Sequence, residues 1–393
     1  VKILLLSPYD ANSHQYWWRL LKAHFSGYNW TVLTLPARYF NWRIRSNSLT
    51  WSQQQQHVLQ QEYDLCIATS MTDLATLRGL LPSLAAIPTL LYFHENQVAY
   101  PLSNKAEQRQ NIEPIMVQIY SSLAANHLSF NSCYNRDSFF SGLKQLLKRF
   151  PDAVPPNLLV KLEKKSSVLA VPIAYRGTIL VNPGLVNPRS INTSSVNKMP
   201  ANNRSLNMLT NHGQKQYQLV WNHRWEYDKG CQRLLAFIQA MPAQTALTLH
   251  VVGQSFRQVP PEFEKIKAEL SKRGWLGQWG YLKDIKEYHQ LLEQSHFVLS
   301  TAEHDFQGLS VLEAVARECI PIVPDRLAYC EMFDDRYRYA SDSDLTVEAQ
   351  SMAQKVQYFL ASENIPHADV SRFYMDNLAT EYEQLFASLV NSA

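Results

Sequence analysis

Two acids around a glycine form the chain's most chemically suggestive stretch. In "HDFQGLSVLEA" (304–314), Asp305 precedes Gly308 and Glu313 follows it, eight residues after the first acid. Leu309, Leu312, Val315 and Ala316 share one face at helical spacing, so a helix is expected from Leu309 onward. Glycine at a helix entrance lets backbone approach a ligand closely. The free N–H groups and the dipole at that end favour an anionic group. Glu313, just over a turn in, is placed to accept hydrogen bonds from ribose hydroxyls, and Asp305 to face a crevice. The plainer alternative is a core helix carrying one solvated glutamate.

A second constellation is "NHRWEYDKG" (222–230), where Arg224 and Lys229 lie five apart after the apolar run 217–221. A planar fork of donors beside a mobile point charge can clamp a diphosphate. An exposed loop pair is the competing reading. A third is "HENQVAYP" (94–101) after "TLLYF" (89–93), which places His94, Glu95, Asn96 and Gln97 at a strand end. Position 98 is Val, so this is not the H-E-x-x-H zinc pattern. Asn12, Ser13 and His14 follow the run 2–7 without a glycine-rich turn, which removes support for a dinucleotide fold and hydride transfer. Asn131 and Ser132 open "NSCYNRDSF" at another strand end. "PARYFNWRIRS" (36–46) interleaves Arg38, Arg43 and Arg45 with Tyr39, Phe40 and Trp42, which suits an RNA loop with unpaired bases, or a protein or anionic-lipid surface.

These residues need a frame that brings strand ends together. Strands are expected at 2–7, 31–35, 65–69, 89–93, 127–131 and 167–171, and again at 217–221, 247–252, 296–300 and 320–323. Helical patterns lie between them, including 15–25, 231–241, 284–294 and 309–318, with a last one at 372–390. The alternation predicts an α/β chain of two doubly wound domains with a ligand in the crevice at the strand ends. Residues 1–175 form the first domain and 217–370 the second; 176–216, rich in Asn, Ser and Pro, reads as a linker or mobile loop, and 371–393 as a terminal helix that can pack back on the first domain.

The 393 residues are 46% hydrophobic, enough for two cores, and the net charge of +3 makes any basic site a local one. Five scattered cysteines without a C-x-x-C pair argue against a disulfide framework or zinc site and fit a reducing cytoplasm. No run is long and apolar enough to span a membrane, and "KILLLSP" reads as a buried strand rather than a signal sequence.

R-x-x-x-x-K followed by acid-x-x-G-x-x-x-x-acid resembles the retaining glycosyltransferases of the GT-B fold, with Asp305 standing where that pattern has Glu. "TLPARYFNWRIRSNSLTWS", "LYFHENQVAYP", "FNSCYNRDSF", "VWNHRWEYDKG", "WGYL" and "STAEHDFQGLSVLEAV" resemble the tRNA-queuosine mannosyltransferase family from residue 3 to about 335. "DANSH" (10–14) departs from that family's glycine-containing turn.

The resemblance implies two Rossmann-like domains facing across a cleft, with tRNA on the first and GDP-mannose on the second. It implies transfer of mannose to the cyclopentenediol of queuosine at the wobble position, with retention and without cofactor or metal. Arg224 and Lys229 would hold the diphosphate, Glu313 the ribose, and Asp305 with the backbone of Gln307 to Ser310 the mannose. His94 would bond the sugar near the reacting carbon. Gly253, Tyr281, Phe306, Gly308 and Leu309 complete the implied donor side. Asn12, Ser13, His14, Arg38, Trp42, Arg43, Arg45, Glu95, Asn96, Gln97, Asn131 and Ser132 make up the implied acceptor side. Two rivals are weighed against this: a lipid or polysaccharide acceptor, for which "FFSGLKQLLKRF" (139–150) is an amphipathic candidate, and a non-catalytic RNA-binding module.

Overall fold

The computed structural model describes residues 1–100, 112–149, 152, 155–174, 216–255, 259–362 and 364–392. The segment expected to be a linker (176–216) lies, except for Gln216, outside the described residues.

Two six-stranded parallel sheets carry the chain. In the first, β1 (Lys2–Asp10), β2 (Asn29–Pro36), β3 (Leu65–Thr69), β4 (Thr89–Phe93), β5 (His127–Phe130) and β6 (Ser166–Val168) take the order β2-β1-β3-β4-β5-β6. In the second, β7 (Tyr217–Trp221), β8 (Leu247–Val252), β9 (Leu276–Gly280), β10 (Phe297–Leu299), β11 (Ile320–Pro324) and β12 (Arg338–Tyr339) take the order β12-β11-β10-β7-β8-β9. Two of these strands escape a pattern reading. "LGQWG" lacks an apolar run because β9 is an edge strand, and β12 is two residues long.

Central strands read as unbroken apolar runs because both faces are covered. Ile3, Leu5, Ile67, Leu90 and Tyr92 point to one side of the first sheet. Leu4, Leu6, Cys66, Ala68, Leu91 and Phe93 point to the other, at the two-residue period of a strand. The first side is covered by Trp17, Leu20 and Leu21 of the helix Asn12–His24, and by Met375, Leu378, Tyr382, Phe386 and Leu389 of the terminal helix Met375–Val390. The chain thus leaves the second domain and completes the first. Each such buried side chain contributes about 1.5–3 kcal/mol. Tyr382 is also satisfied there: its hydroxyl accepts from Trp17 Nε1 at 3.0 Å and donates to the Ala170 carbonyl at 2.8 Å.

The other cover of the first sheet includes the helix Cys133–Leu147, which buries Phe139, Phe140 and Leu143 in the core. Its apolar face is already used, which argues against the rival in which 139–150 is an amphipathic segment for a membrane surface. No helix among the described residues is long and apolar enough to cross a membrane.

The helix expected at 309–318 ends at Val315. Glu318 turns the chain with φ 73° so that β11 can start at Ile320.

Candidate active site

The carboxyl ends of both sheets face each other, and the described contacts between domains lie there. Asn12 Nδ2 donates to Gln254 Oε1 at 3.2 Å, and the rings of Tyr100 and His304 meet at 4.9 Å. Gln307 bridges the domains with both ends of its amide. Its Nε2 donates to the Val171 carbonyl at 2.8 Å and its Oε1 accepts from Val171 N at 2.9 Å. Glu331 accepts from the backbone N–H groups of Cys133 and Tyr134, both at 3.0 Å.

Lys229 sits at the centre of the second domain's wall. A single 3-10 turn (Tyr227–Lys229) carries it below the surface. Its Nζ donates to the His304 carbonyl at 2.7 Å and lies 3.2 Å from Asp228 and 3.7 Å from Asp305. Arg224 pairs with Glu226 at 2.8 Å and reaches Asp228 at 3.8 Å, while its side chain stays open to the cleft. The two cations therefore converge on Asp228.

The glycine turn is built as a unit. Gly308 holds φ 67°, and a Cβ there would lie 2.7 Å from the Tyr329 ring. Asp305 Oδ1 accepts from Gly308 N at 2.8 Å, and its Oδ2 from the Tyr329 hydroxyl at 3.1 Å. Burial alone would raise the Asp305 carboxyl. Lys229, the nearby His223, the Gly308 N–H and the Tyr329 hydroxyl outweigh it and hold the group below its ordinary value, so it stays ionised.

Glu313 is half-buried one turn in, where burial pushes its carboxyl up against the pull of Arg317 and a hydrogen bond with Tyr288. Gly253 serves close approach: a Cβ there would stand 1.8 Å from the His223 carbonyl oxygen, so the ends of β7 and β8 pass with no room for a side chain. Phe306 packs its ring on His304, and Leu309 on both domain cores. Tyr281 stands exposed beyond β9.

Three neighbours escaped the sequence reading. Asn222 Nδ2 donates to the Ser310 carbonyl at 2.7 Å and the Tyr288 hydroxyl at 2.9 Å, tying β7 to the helix entrance. His223 sets Nδ1 3.4 Å from Ser310 Oγ and leaves Nε2 buried without a partner. His304 likewise leaves Nε2 buried and unpartnered. Their signal was adjacency to Arg224 and Asp305 at strand ends.

On the first domain's wall, His94 is 7% exposed and packs its ring on His14 at 4.2 Å, with Trp17 and Tyr92 at 4.8 Å. Its Nε2 has no partner. Burial, then His14, keeps His94 well below its ordinary value, so the ring is neutral. Burial brings His14 down to about 4, and its Nδ1 lies 2.7 Å from the Tyr9 carbonyl. Glu95 is part-buried and feels Arg224 and Lys229 across the cleft.

Several residues expected to meet an acceptor are instead framework. Asn96 is fully buried. Its Nδ2 donates to Asn135 and Ser138, and its Oδ1 accepts from Ala99 N at 2.8 Å. Asn131 Nδ2 donates to the His94 carbonyl at 2.9 Å, and its Oδ1 accepts from Asn135 Nδ2 at 2.8 Å. Ser132 caps the helix that follows by accepting from Asn135 N at 2.9 Å. A loop that dips under a sheet edge must pair its own polar groups, and these amides do so.

Arg45 is drawn from the RNA-facing set by Asp73 at 2.7 Å and Glu113 at 3.0 Å. Trp42 is 64% exposed and Tyr39 72%, with the Arg38 guanidinium 5.7 Å from the Tyr39 ring. Arg43 is part-buried, Ser13 exposed and Gln97 part-buried, its N–H on Gln118 Oε1 at 2.8 Å. Among the described residues no group of three or more His, Cys, Asp or Glu is placed to hold a metal ion.

Residues 2–173 match the family model "tRNA-queuosine alpha-mannosyltransferase N-terminal", and residues 209–371 match "Glycosyl transferases group 1". A Drosophila melanogaster protein named tRNA-queuosine alpha-mannosyltransferase is 28% identical over 98% of this chain and 96% of its own. Solved structures share the fold at low identity. HepE of Anabaena, in complex with UDP and glucose, has a TM-score of 0.63 at 12% identity, covering 98% of this chain and 99% of its own. The lipopolysaccharide outer core galactosyltransferase WaaB has 0.59 at 11%, covering 99% of each chain. A glycosyltransferase from Rickettsia africae has 0.61 at 12%, covering 100% and 99%. The fold is GT-B.

Proposed function

The chain belongs to the tRNA-queuosine alpha-mannosyltransferase family and is a glycosyltransferase, and from that premise we propose that it moves mannose from GDP-mannose to a cyclopentenediol hydroxyl of queuosine in tRNA. The observation that carries the chemistry is the buried Lys229 beside the open Arg224, at the entrance of a helix whose N–H groups are turned by Gly308. Two cations at a helix N-terminus suit a nucleoside diphosphate.

In this reading Lys229 and Arg224 take over charge that develops on the departing GDP, in place of a metal ion. Glu313 accepts from the ribose hydroxyls. The Gly308 turn, kept in shape by Asp305, presents backbone to the sugar. The neutral His94 ring offers its unpartnered Nε2 to a sugar hydroxyl near the reacting carbon. With retention, the acceptor oxygen attacks from the face the phosphate leaves, and the leaving phosphate oxygen takes its proton. The mannose–phosphate bond breaks as the mannose–oxygen bond forms. Tyr39 and Trp42, exposed beside Arg38, support unpaired anticodon-loop bases by stacking. The same reading places the reaction in the cytoplasm, where tRNA is modified.

The test is transfer to total tRNA with and without queuosine, supplied with GDP-mannose, UDP-glucose or GDP-fucose and read by nucleoside mass spectrometry. A gain of one hexose on queuosine, from GDP-mannose alone, is expected. Transfer from UDP-glucose instead would overturn the donor. Binding of GDP-mannose without any transfer to tRNA would overturn the acceptor.

A further inference from the structure

We propose that Glu95 is the counter-ion for a cationic amine on the acceptor, and so selects nucleosides that carry a protonated alkylamine next to the reacting diol. The inference rests on the queuosine reading, because that nucleoside hangs its cyclopentenediol from a secondary amine that is protonated near neutral pH.

Glu95 is held to one place. Its carbonyl accepts from Ser70 Oγ at 3.0 Å and Gln118 Nε2 at 3.5 Å, and the next residue's amide is locked on Asn135 and Ser138. The carboxylate itself makes no hydrogen bond or ion pair with a described residue, although it is part-buried. It feels Arg224 and Lys229 of the second domain, and those cations are already matched by Glu226, Asp228 and Asp305. A diphosphate added to that wall leaves the cleft short of positive charge, and Glu95 then stands opposite an anion. Charge of one sign gathered in a low-dielectric cleft attracts a cation strongly. Burial pushes the Glu95 carboxyl up, against the pull of Arg224 and Lys229, and a cation placed between the two walls would favour its charged form.

The neighbours fit an alkylammonium. Tyr9 and Tyr100 both feel Glu95 as the largest charge on them after burial. Aromatic faces beside a carboxylate are a favourable box for a charged amine. Tyr9 also meets the Phe40 ring edge-on at 5.6 Å. Through Tyr9 the surroundings of Glu95 thus join the arginine–aromatic helix Phe40–Gln54 that the anticodon loop would stack against.

The experiment compares the full chain with Glu95→Gln and Glu95→Asp, using GDP-mannose and two acceptors: queuosine tRNA, and the same tRNA acylated on the queuosine amine. Wild type should turn over the acylated tRNA poorly. Glu95→Gln should raise KM for native tRNA by about tenfold to a hundredfold, with kcat and the Kd for GDP-mannose unchanged. It should also lose the preference for native over acylated tRNA. Glu95→Asp, which keeps the charge, should recover part of the KM.

A fall in kcat at saturating tRNA with KM unchanged would make Glu95 part of the chemistry and overturn the proposal. So would an undiminished preference in Glu95→Gln, or a divalent-metal requirement that only wild type shows. Transfer failing in wild type with native tRNA would sink the acceptor reading itself, before any variant is compared.

Discussion

The two walls of the cleft use their polar residues in opposite ways. On the second domain, the charged side chains themselves form the wall. Lys229 bridges Asp228, Asp305 and the His304 carbonyl, and Arg224 remains open to the cleft. On the first domain, most strand-end polar groups pair with each other. Asn96, Asn131, Ser132 and Asn135 satisfy a buried loop, and what they leave without a partner among the described residues is the buried Nε2 of His94 and the part-buried carboxylate of Glu95. A polar residue at a strand end is therefore a contact residue only if the loop beneath it does not need it.

Three substitutions or conditions separate the walls, beginning with the largest effect. Lys229→Ala should cut turnover by about 10²–10³-fold, with GDP-mannose binding weakened. Steady-state rates on queuosine tRNA measure this, and a loss under threefold would move the clamp elsewhere. Asn131→Ala should act on stability instead. It strips a donor from the buried His94 carbonyl and an acceptor from Asn135, at about 2–3 kcal/mol. Urea unfolding reads the loss. A higher KM for tRNA at unchanged stability would return Asn131 to the acceptor side.

The smallest effect concerns protons. Burial takes His14, His223 and His304 down to about 4, and in His223 and His304 Lys229 adds to it. The unfolded chain binds protons near the ordinary 6.5, above the folded value. Their contribution to stability is thus complete above 6.5 and is lost as pH falls toward 4. Between pH 7.5 and 6 each buried histidine should cost about 1 kcal/mol. Urea midpoints at the two pH values check this, and His14→Phe should flatten the slope. A steeper loss at pH 6 in that variant would contradict the burial account.

The fold was largely legible because parallel strands buried on both faces leave apolar runs, as β1, β3, β4 and β11 do. β9 and β12 were not, since edge position and two-residue length remove the pattern. At the site, Arg224, Lys229, Gly308 and Glu313 could be picked out because charge and glycine spacing are carried by the sequence itself. Asn222 and His223 stood beside Arg224, but their role was hidden, because their partners Tyr288 and Ser310 lie on distant segments. Asn96 and Asn131 misled for the same reason: what satisfies an amide is set by three-dimensional neighbours. Asp305 in place of Glu has a visible cause here, since its shorter side chain reaches Gly308 N within its own turn while the other oxygen takes the Tyr329 hydroxyl.

The helix Met375–Val390 completes the cover on one face of the first sheet, which is made before the second. On the ribosome, the domain of the first sheet therefore waits with part of one apolar face uncovered while the second domain is synthesised. A stop codon just before Met375 would leave every cleft residue described here encoded and still open the wall of the first-sheet domain. Late truncations should damage this protein as severely as early ones.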